Sequence, residues 1–242
     1  MPDASHFYTG LVADLYGPLR GNVADEDIYA RFIEKHGEPA LELGCGDGDP
    51  ILELRRRGFD VDGIDASPDM IERCRARAAA MGVAVDVSVQ LIEELHLARR
   101  YRSIYLAGPT FNLLPDDATA SRALERIGAH LADGGTALVP LFIPDALPDA
   151  SLGQWKTAVD DQGRTIRFAN IAQHRDEVAR NHTTRLRYER VAGEDVESVE
   201  RDFTIHWYTQ DQFRGLAESA GLTVVRVIEF APVAFAFRLT AA

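Results

Sequence analysis

Cysteine is almost missing from this sequence: Cys45 and Cys74 are the two present in 242 residues. Two thiols supply neither a disulfide framework nor a cysteine-based zinc site. Positive charge is also short. Arginine and lysine total 26 against 38 aspartates and glutamates, for a formal net charge of −12, and the lysines are Lys35 and Lys156 alone. A protein that displaces counterions from phosphates needs a positive footprint, so neither nucleic acid nor anionic membrane is an expected partner. No apolar run approaches the roughly 18 residues of a membrane span. The stretch Met1–Tyr8 lacks the basic-then-apolar pattern of an export signal. His6, His36, His96, His130, His174 and His182 show no metal-ligand spacing. These absences together predict a reducing, cytoplasmic setting and no metal.

What is present is an ordinary globular composition, 46% hydrophobic and 26% charged, patterned as an α/β protein. Short apolar runs at 39–44, 60–65, 83–89, 103–106 and 136–143 read as strands. Between them lie segments with helical periodicity and helix signals. Asp49-Pro50 and Ser67-Pro68 each look like an N-cap followed by proline at the first helical position, and Gly58 and Gly82 look like stops. Strands alternating with helices at this pace predict a mostly parallel, Rossmann-like open sheet covered on both faces. From about 150 to 206 the period changes to two, at 165–171, 183–191 and 196–207, which predicts an antiparallel β insertion. Ile166, Phe168, Leu186, Tyr188, Phe203, Ile205 and Trp207 would give it one buried face, and Arg185 and Arg187 would pair with Glu200 and Asp202 on the other. Thr209 and Gln212 then form a capping box. Runs at 222–230 and 233–239 flank a connection too short for a parallel crossover, so the last strand is expected to be antiparallel. Residues 1–242 thus read as one domain, with 150–206 as a lid or as a surface shared across a homodimer.

The segment Glu42-Leu43-Gly44-Cys45-Gly46-Asp47-Gly48 joins a strand to a helix, where glycines let backbone approach a nucleotide. Asp65 ends the next strand, about 20 residues on, where a carboxylate can accept both ribose hydroxyls. A dinucleotide fingerprint would need glycine at position 49; Asp49 stands there and would repel a pyrophosphate. An acidic loop suits a cationic cofactor instead, which disfavours a nicotinamide dehydrogenase.

Ala40–Pro50 with Val61–Met70 resembles the class I S-adenosylmethionine-dependent methyltransferases. Tyr101–Leu114 resembles that family's fourth-strand segment, and Leu131–Leu138 its Gly-Gly approach to strand five. The insertion followed by Trp-Tyr-Thr and a helix is similar to the branch of small-molecule N-methyltransferases acting on nucleotide-linked aminosugars or on glycine. The resemblance implies S-adenosylmethionine as cofactor and S-adenosylhomocysteine as product. It places Gly44, Cys45 and Gly46 along the methionine moiety, Glu42 at its amino group, and Asp65 at the ribose. It further places Ala66 and Met70 at the adenine face, with Ile92, Glu93 and Leu106 completing the cofactor set. Leu91 departs from the aspartate many relatives carry for the adenine amino group, so either Glu93 or backbone substitutes or that hydrogen bond is missing.

For the acceptor side, Phe111 and Asn112 follow strand four at the carboxyl edge of the sheet. Tyr8 and Tyr16 lie in an N-terminal segment that in this family folds over the cofactor; aromatic faces favour a sulfonium. Arg20 would pair with the cofactor carboxylate. Trp207 and Tyr208 read as anchors of the insertion, with Trp207 also an acceptor contact. His206 is the one side chain named as a general base. The expected reaction is methyl transfer to an amine or hydroxyl of a small molecule, an amine being favoured because it needs only to be neutral. A non-catalytic S-adenosylmethionine-binding or regulatory protein of the same fold is the alternative.

Overall fold

The computed structural model describes residues 7–20 and 25–242; His6 lies outside them. A seven-stranded sheet has the order β10-β11-β5-β4-β1-β2-β3, formed by β1 (Ala40–Leu43), β2 (Val61–Asp65), β3 (Asp86–Val89), β4 (Tyr101–Tyr105), β5 (Leu131–Phe142), β10 (Leu222–Ala231) and β11 (Ala234–Ala241). Strands β1 to β5 pair in parallel, and β11 runs antiparallel to both its neighbours. The strand order reverses between β1 and β4, the place where open α/β sheets leave a crevice for ligands.

Alternation along the strands feeds two cores. Leu41, Leu43 and Ile104 pack with α5 (Asp117–His130) and α6 (Gln210–Ser219) on one face. Ala40 and Tyr105 pack with α2 (Glu26–His36), α3 (Ile51–Arg56) and α4 (Pro68–Met81) on the other. Ser67 caps α4 by accepting from the Met70 amide, and Gly82 closes it at φ 66°. The capping box of Thr209 and Gln212 is complete. Asp49 does not cap α3: Pro50 occupies the cap position without a side-chain bond, and the Asp49 carboxylate is taken by Arg20. The pair Asp133-Gly134 and Gly135 does not end a helix ahead of the strand, as the glycines suggest. It forms an irregularity inside β5, between the pairs Tyr101↔Leu131 and Ser103↔Thr136.

The insertion is a separate antiparallel sheet in the order β6-β7-β8-β9: β6 (Trp155–Val159), β7 (Thr165–Asp176), β8 (Asn181–Ala192) and β9 (Asp195–His206). The sequence pattern gave no sign of β6, a five-residue edge strand whose residues are mostly exposed. β7 runs past the expected end at 171 because a register shift between Asn170 and Ala172 interrupts the alternation. Ile166, Leu186 and Tyr188 pack on Leu11, Val12, Leu15 and Leu19 of α1 (Leu11–Arg20), which gives the insertion an apolar seat on that helix. On the outer face Arg185 pairs with Asp202 at 2.7 Å and Arg187 with Glu200 at 2.6 Å, in direct cross-strand register. Asp14 of α1 binds both Arg73 of α4 and, at 2.7 Å, Arg190 of β8. Among the described residues no helix is long and apolar enough to cross a membrane.

Candidate functional site

The glycine loop leaves β1 with its backbone already committed: Gly44 and Cys45 both donate to the Ile64 carbonyl of β2, at 2.8 and 2.9 Å. Gly44 sits at φ 77°, where a side chain is strained, and a Cβ there would lie 2.6 Å from Thr110 Cγ2. The turn can therefore be close-packed against the segment after β4 only as glycine. Asp65, at the end of β2, braces the same turn. Its Oδ2 accepts from the Gly46 amide at 2.9 Å and its Oδ1 from the Ser67 amide at 2.8 Å. Burial raises the Asp65 carboxyl above the ordinary aspartate value, and those two amide bonds work against the rise.

Around this turn opens a cleft of about 770 Å³ at the carboxyl ends of β1, β2 and β3. Gly44, Gly46, Asp65, Ala66, Met70, Ile92 and Glu93 line it, and α1 and the segment before it contribute Tyr16 and Tyr8. The two tyrosine rings meet edge to face at 5.3 Å, and Ser67 donates to the Tyr8 carbonyl at 2.6 Å, which pins this cover to the cap of α4. A neighbouring space of about 730 Å³ shares Tyr16, Gly44 and Gly46 and adds Cys45, Arg20 and Asp49. Arg20 is not free there. Its guanidinium is bound by Asp49, lies 3.7 Å from Asp47, and sits over the Tyr16 ring at 5.1 Å.

Glu42 lies beneath the loop, fully buried. Tyr105 donates to its Oε2 at 2.9 Å, while Oε1 is buried with no partner among the described residues. Burial pushes this carboxyl up to about 8, the Tyr105 bond opposing the shift. A buried carboxyl with one orphaned oxygen is costly unless something else satisfies it.

The remaining expected residues are placed away from the cleft. Leu106 and Phe111 are fully buried in the core with α5 and α6, Phe111 packing edge to face on Phe213 at 5.4 Å. Asn112 is fully buried and works as a clamp: it donates to the carbonyls of Phe142 (3.2 Å) and His206 (2.8 Å) and accepts from the Phe142 amide (3.1 Å). His206 does lie beside Asn112, but its ring is 3% exposed, with Nδ1 at 2.9 Å from Asn181 Oδ1 and Nε2 at 3.1 Å from Asp117 Oδ1. Both ring nitrogens are thus engaged, Nδ1 within the insertion and Nε2 in joining it to α5. Trp207 is buried under Arg175, whose guanidinium lies 4.0 Å from the ring centroid. Tyr16 is therefore not brought together with Asn112 and His206.

Sequence reasoning missed Thr110, Leu113, Leu114 and Pro115, which line the cleft after β4, and Gln90 and Leu91 after β3. The carboxyl-edge rule pointed at the right turn after β4. Residues 110–113 form a 3₁₀ turn, and it presents Thr110 and Leu113 to the cleft while burying Phe111 and Asn112. Only the turn's geometry separates the two pairs.

Residues 40–135 match the model of a family described as a methyltransferase domain. The dTDP-3-amino-3,6-dideoxy-α-D-glucopyranose N,N-dimethyltransferase of Streptomyces fradiae is 25% identical over 93% of this chain and 87% of its own length. The trans-aconitate 2-methyltransferase of Methylobacterium radiotolerans is 30% identical over 63% of this chain. The chain spans 51% and 66% of the length of two of the curated relatives it matches. Among solved structures, the CcbJ methyltransferase of Streptomyces caelestis aligns with a TM-score of 0.77 at 21% identity, covering 98% of each chain.

Proposed function

We propose, from the match of residues 40–135 to a methyltransferase domain, that the chain is a class I, S-adenosylmethionine-dependent methyltransferase and that it methylates an amine of a small-molecule acceptor. The observation that carries this is the single cleft in which the left-handed glycine turn, the Asp65 carboxylate and the two cover tyrosines meet. The residues fit the cofactor on their own chemistry. Gly44 and Gly46 leave the turn without side chains, and Asp65 would accept from the ribose hydroxyls. The orphaned Glu42 oxygen would face the cationic amino group, directly or through water. Ala66, Met70 and Ile92 would pack the adenine, and Tyr8 and Tyr16 would present ring faces to positive charge.

When bound, S-adenosylmethionine would supply a methyl group on a sulfonium to the neutral amine, the carbon–sulfur bonding pair staying on sulfur as the nitrogen–carbon bond forms, and the resulting ammonium would lose its proton to solvent on release. What the chain adds is alignment and exclusion of water. The cover of Tyr8 and Tyr16 closes the cleft from above, and the turn of Thr110 and Leu113 bounds it from below. A neutral amine needs no general base, and we assign none to His206, whose ring nitrogens are occupied in bonds to Asn181 and Asp117. The aminosugar relative is named for methylation of an amine, which supports this side of the reading. We read 150–206 as a cover over the acceptor, and the cytoplasm as the compartment. Incubation with methyl-labelled S-adenosylmethionine and a panel of small primary amines and alcohols tests the proposal. Label should appear in an amine with matching release of S-adenosylhomocysteine; label appearing in alcohols alone would overturn the amine assignment.

A further inference from the structure

Between the inner face of the four-stranded sheet and α1 lies a second cavity, of about 530 Å³. Of the ten residues lining it, eight are aromatic or leucine, two are the cations Arg20 and Lys156, and none is a carboxylate. Tyr8 and Tyr16 line both this cavity and the cofactor cleft, so they form the partition between the two spaces. On the far wall Phe168 and Tyr188, directly opposed across β7 and β8, stack with centroids 5.6 Å apart. The cavity and the cofactor cleft thus adjoin at these two tyrosines.

The two cations differ in what holds them. Arg20 is neutralised by Asp49 and Asp47. Lys156 lies on β6 directly opposite Phe168, its ammonium 5.8 Å from that ring, and among the described residues no carboxylate is within ion-pair distance of it. Among the described residues it is an uncompensated positive charge beside a carbon-rich space, in a sheet whose arginines at 167, 175, 185, 187 and 190 have acidic partners and whose Arg201 donates to a backbone carbonyl.

Resting on the methyltransferase reading above, the geometry points to an acceptor with a flat, carbon-rich body and one anionic group, the body between Phe168 and the partition tyrosines and the anion on Lys156. Stacked rings favour a planar apolar body. A nucleoside diphosphate carries more charge than a single lysine and an already paired arginine can balance, and phosphate recognition favours several free donors. The same positive charge disfavours protonation of an amine held nearby, which keeps the nucleophile neutral without a base.

The test uses the whole chain saturated with S-adenosylhomocysteine and titrated with 3-phenylpropanoate, 3-phenylpropanamide and thymidine diphosphate, followed by ligand-observed NMR. The phenylpropanoate should bind most tightly. Lys156→Gln, at an exposed position, should weaken it about ten-fold, to the level of the amide, whose own binding should not change. Phe168→Leu should weaken both phenyl probes. Tighter binding of thymidine diphosphate, no binding of either phenyl probe, or an unchanged phenylpropanoate affinity in Lys156→Gln would each overturn the inference. If S-adenosylhomocysteine binds and the phenyl probes do not, this inference alone fails. If S-adenosylhomocysteine does not bind, the methyltransferase reading falls and this one falls with it.

Discussion

The two sheets are built on different principles. The parallel sheet forms its cleft from backbone: a left-handed glycine turn, amides pointed at one carboxylate, and a capped helix. The antiparallel sheet forms its cavity from side chains that strands far apart in sequence bring together, with α1 as the opposite wall. A backbone-built site ties its residue types to their spacing, whereas a side-chain-built site needs only carbon-rich surface in the right place. Changes at the first should therefore cost cofactor affinity, and changes at the second should cost acceptor binding.

The largest effect expected from this contrast is at Asp65. Asp65→Ala should weaken S-adenosylmethionine binding by about 10- to 100-fold, since ribose hydroxyls and the Gly46 and Ser67 amides lose an acceptor worth about 1–3 kcal/mol. Calorimetry on the folded variant checks it, and unchanged affinity would remove Asp65 from the site. Asn112→Ala should do the reverse. It removes three buried hydrogen bonds that join β5 to the end of β9, so denaturant unfolding should show a loss of about 1–3 kcal/mol with cofactor affinity within a few-fold. A large loss of affinity at full stability would return Asn112 to the site.

That pair of outcomes bears on what the residues alone disclose. The glycine loop, Asp65, Ala66 and Met70 were legible because their types are dictated by local backbone and lie next to recognisable caps. The topology followed from strand spacing and the short Ala231-Pro232 connection. Asn112 and His206 were misread because a polar residue beside a sheet's carboxyl edge looks the same whether it turns toward the ligand or toward a carbonyl across the fold. Their hydrogen-bond partners lie 30 and 94 residues away from Asn112, and 25 and 89 away from His206. Lys156 and Phe168 were not singled out as site residues because β6 left no pattern and nothing local marks an uncompensated charge.

Glu42 sharpens the contrast through pH. Its folded value of about 8 lies above the unfolded carboxyl value. The protonated form is thus favoured by folding, and the associated stability is full below about pH 4 and lost as pH rises through about 8. Without cofactor, the wild type should lose more stability between about pH 5 and pH 8 than Glu42→Gln, read as melting temperature against pH. Parallel curves would contradict the buried protonated carboxyl. A cationic amino group beside Glu42 favours its ionised form, so cofactor binding at pH 7 should release protons, which calorimetry in buffers of different ionisation enthalpy would detect.

The smallest effect is expected on the outer face of the insertion. Arg187→Ala removes a half-exposed ion pair with Glu200 and should cost about 0.2–1 kcal/mol, less in high salt, with no change in either binding activity. A loss of cofactor affinity in this variant would show that the outer face of the insertion is coupled to the cofactor cleft.

The central claim is that one backbone-built cleft at the β1–β4 strand reversal holds S-adenosylmethionine. Its most direct test is parallel calorimetric titration of the wild type with S-adenosylhomocysteine and with NADH. Saturable one-site binding of S-adenosylhomocysteine, not displaced by NADH, is the result predicted. Tighter binding of NADH than of S-adenosylhomocysteine would contradict it.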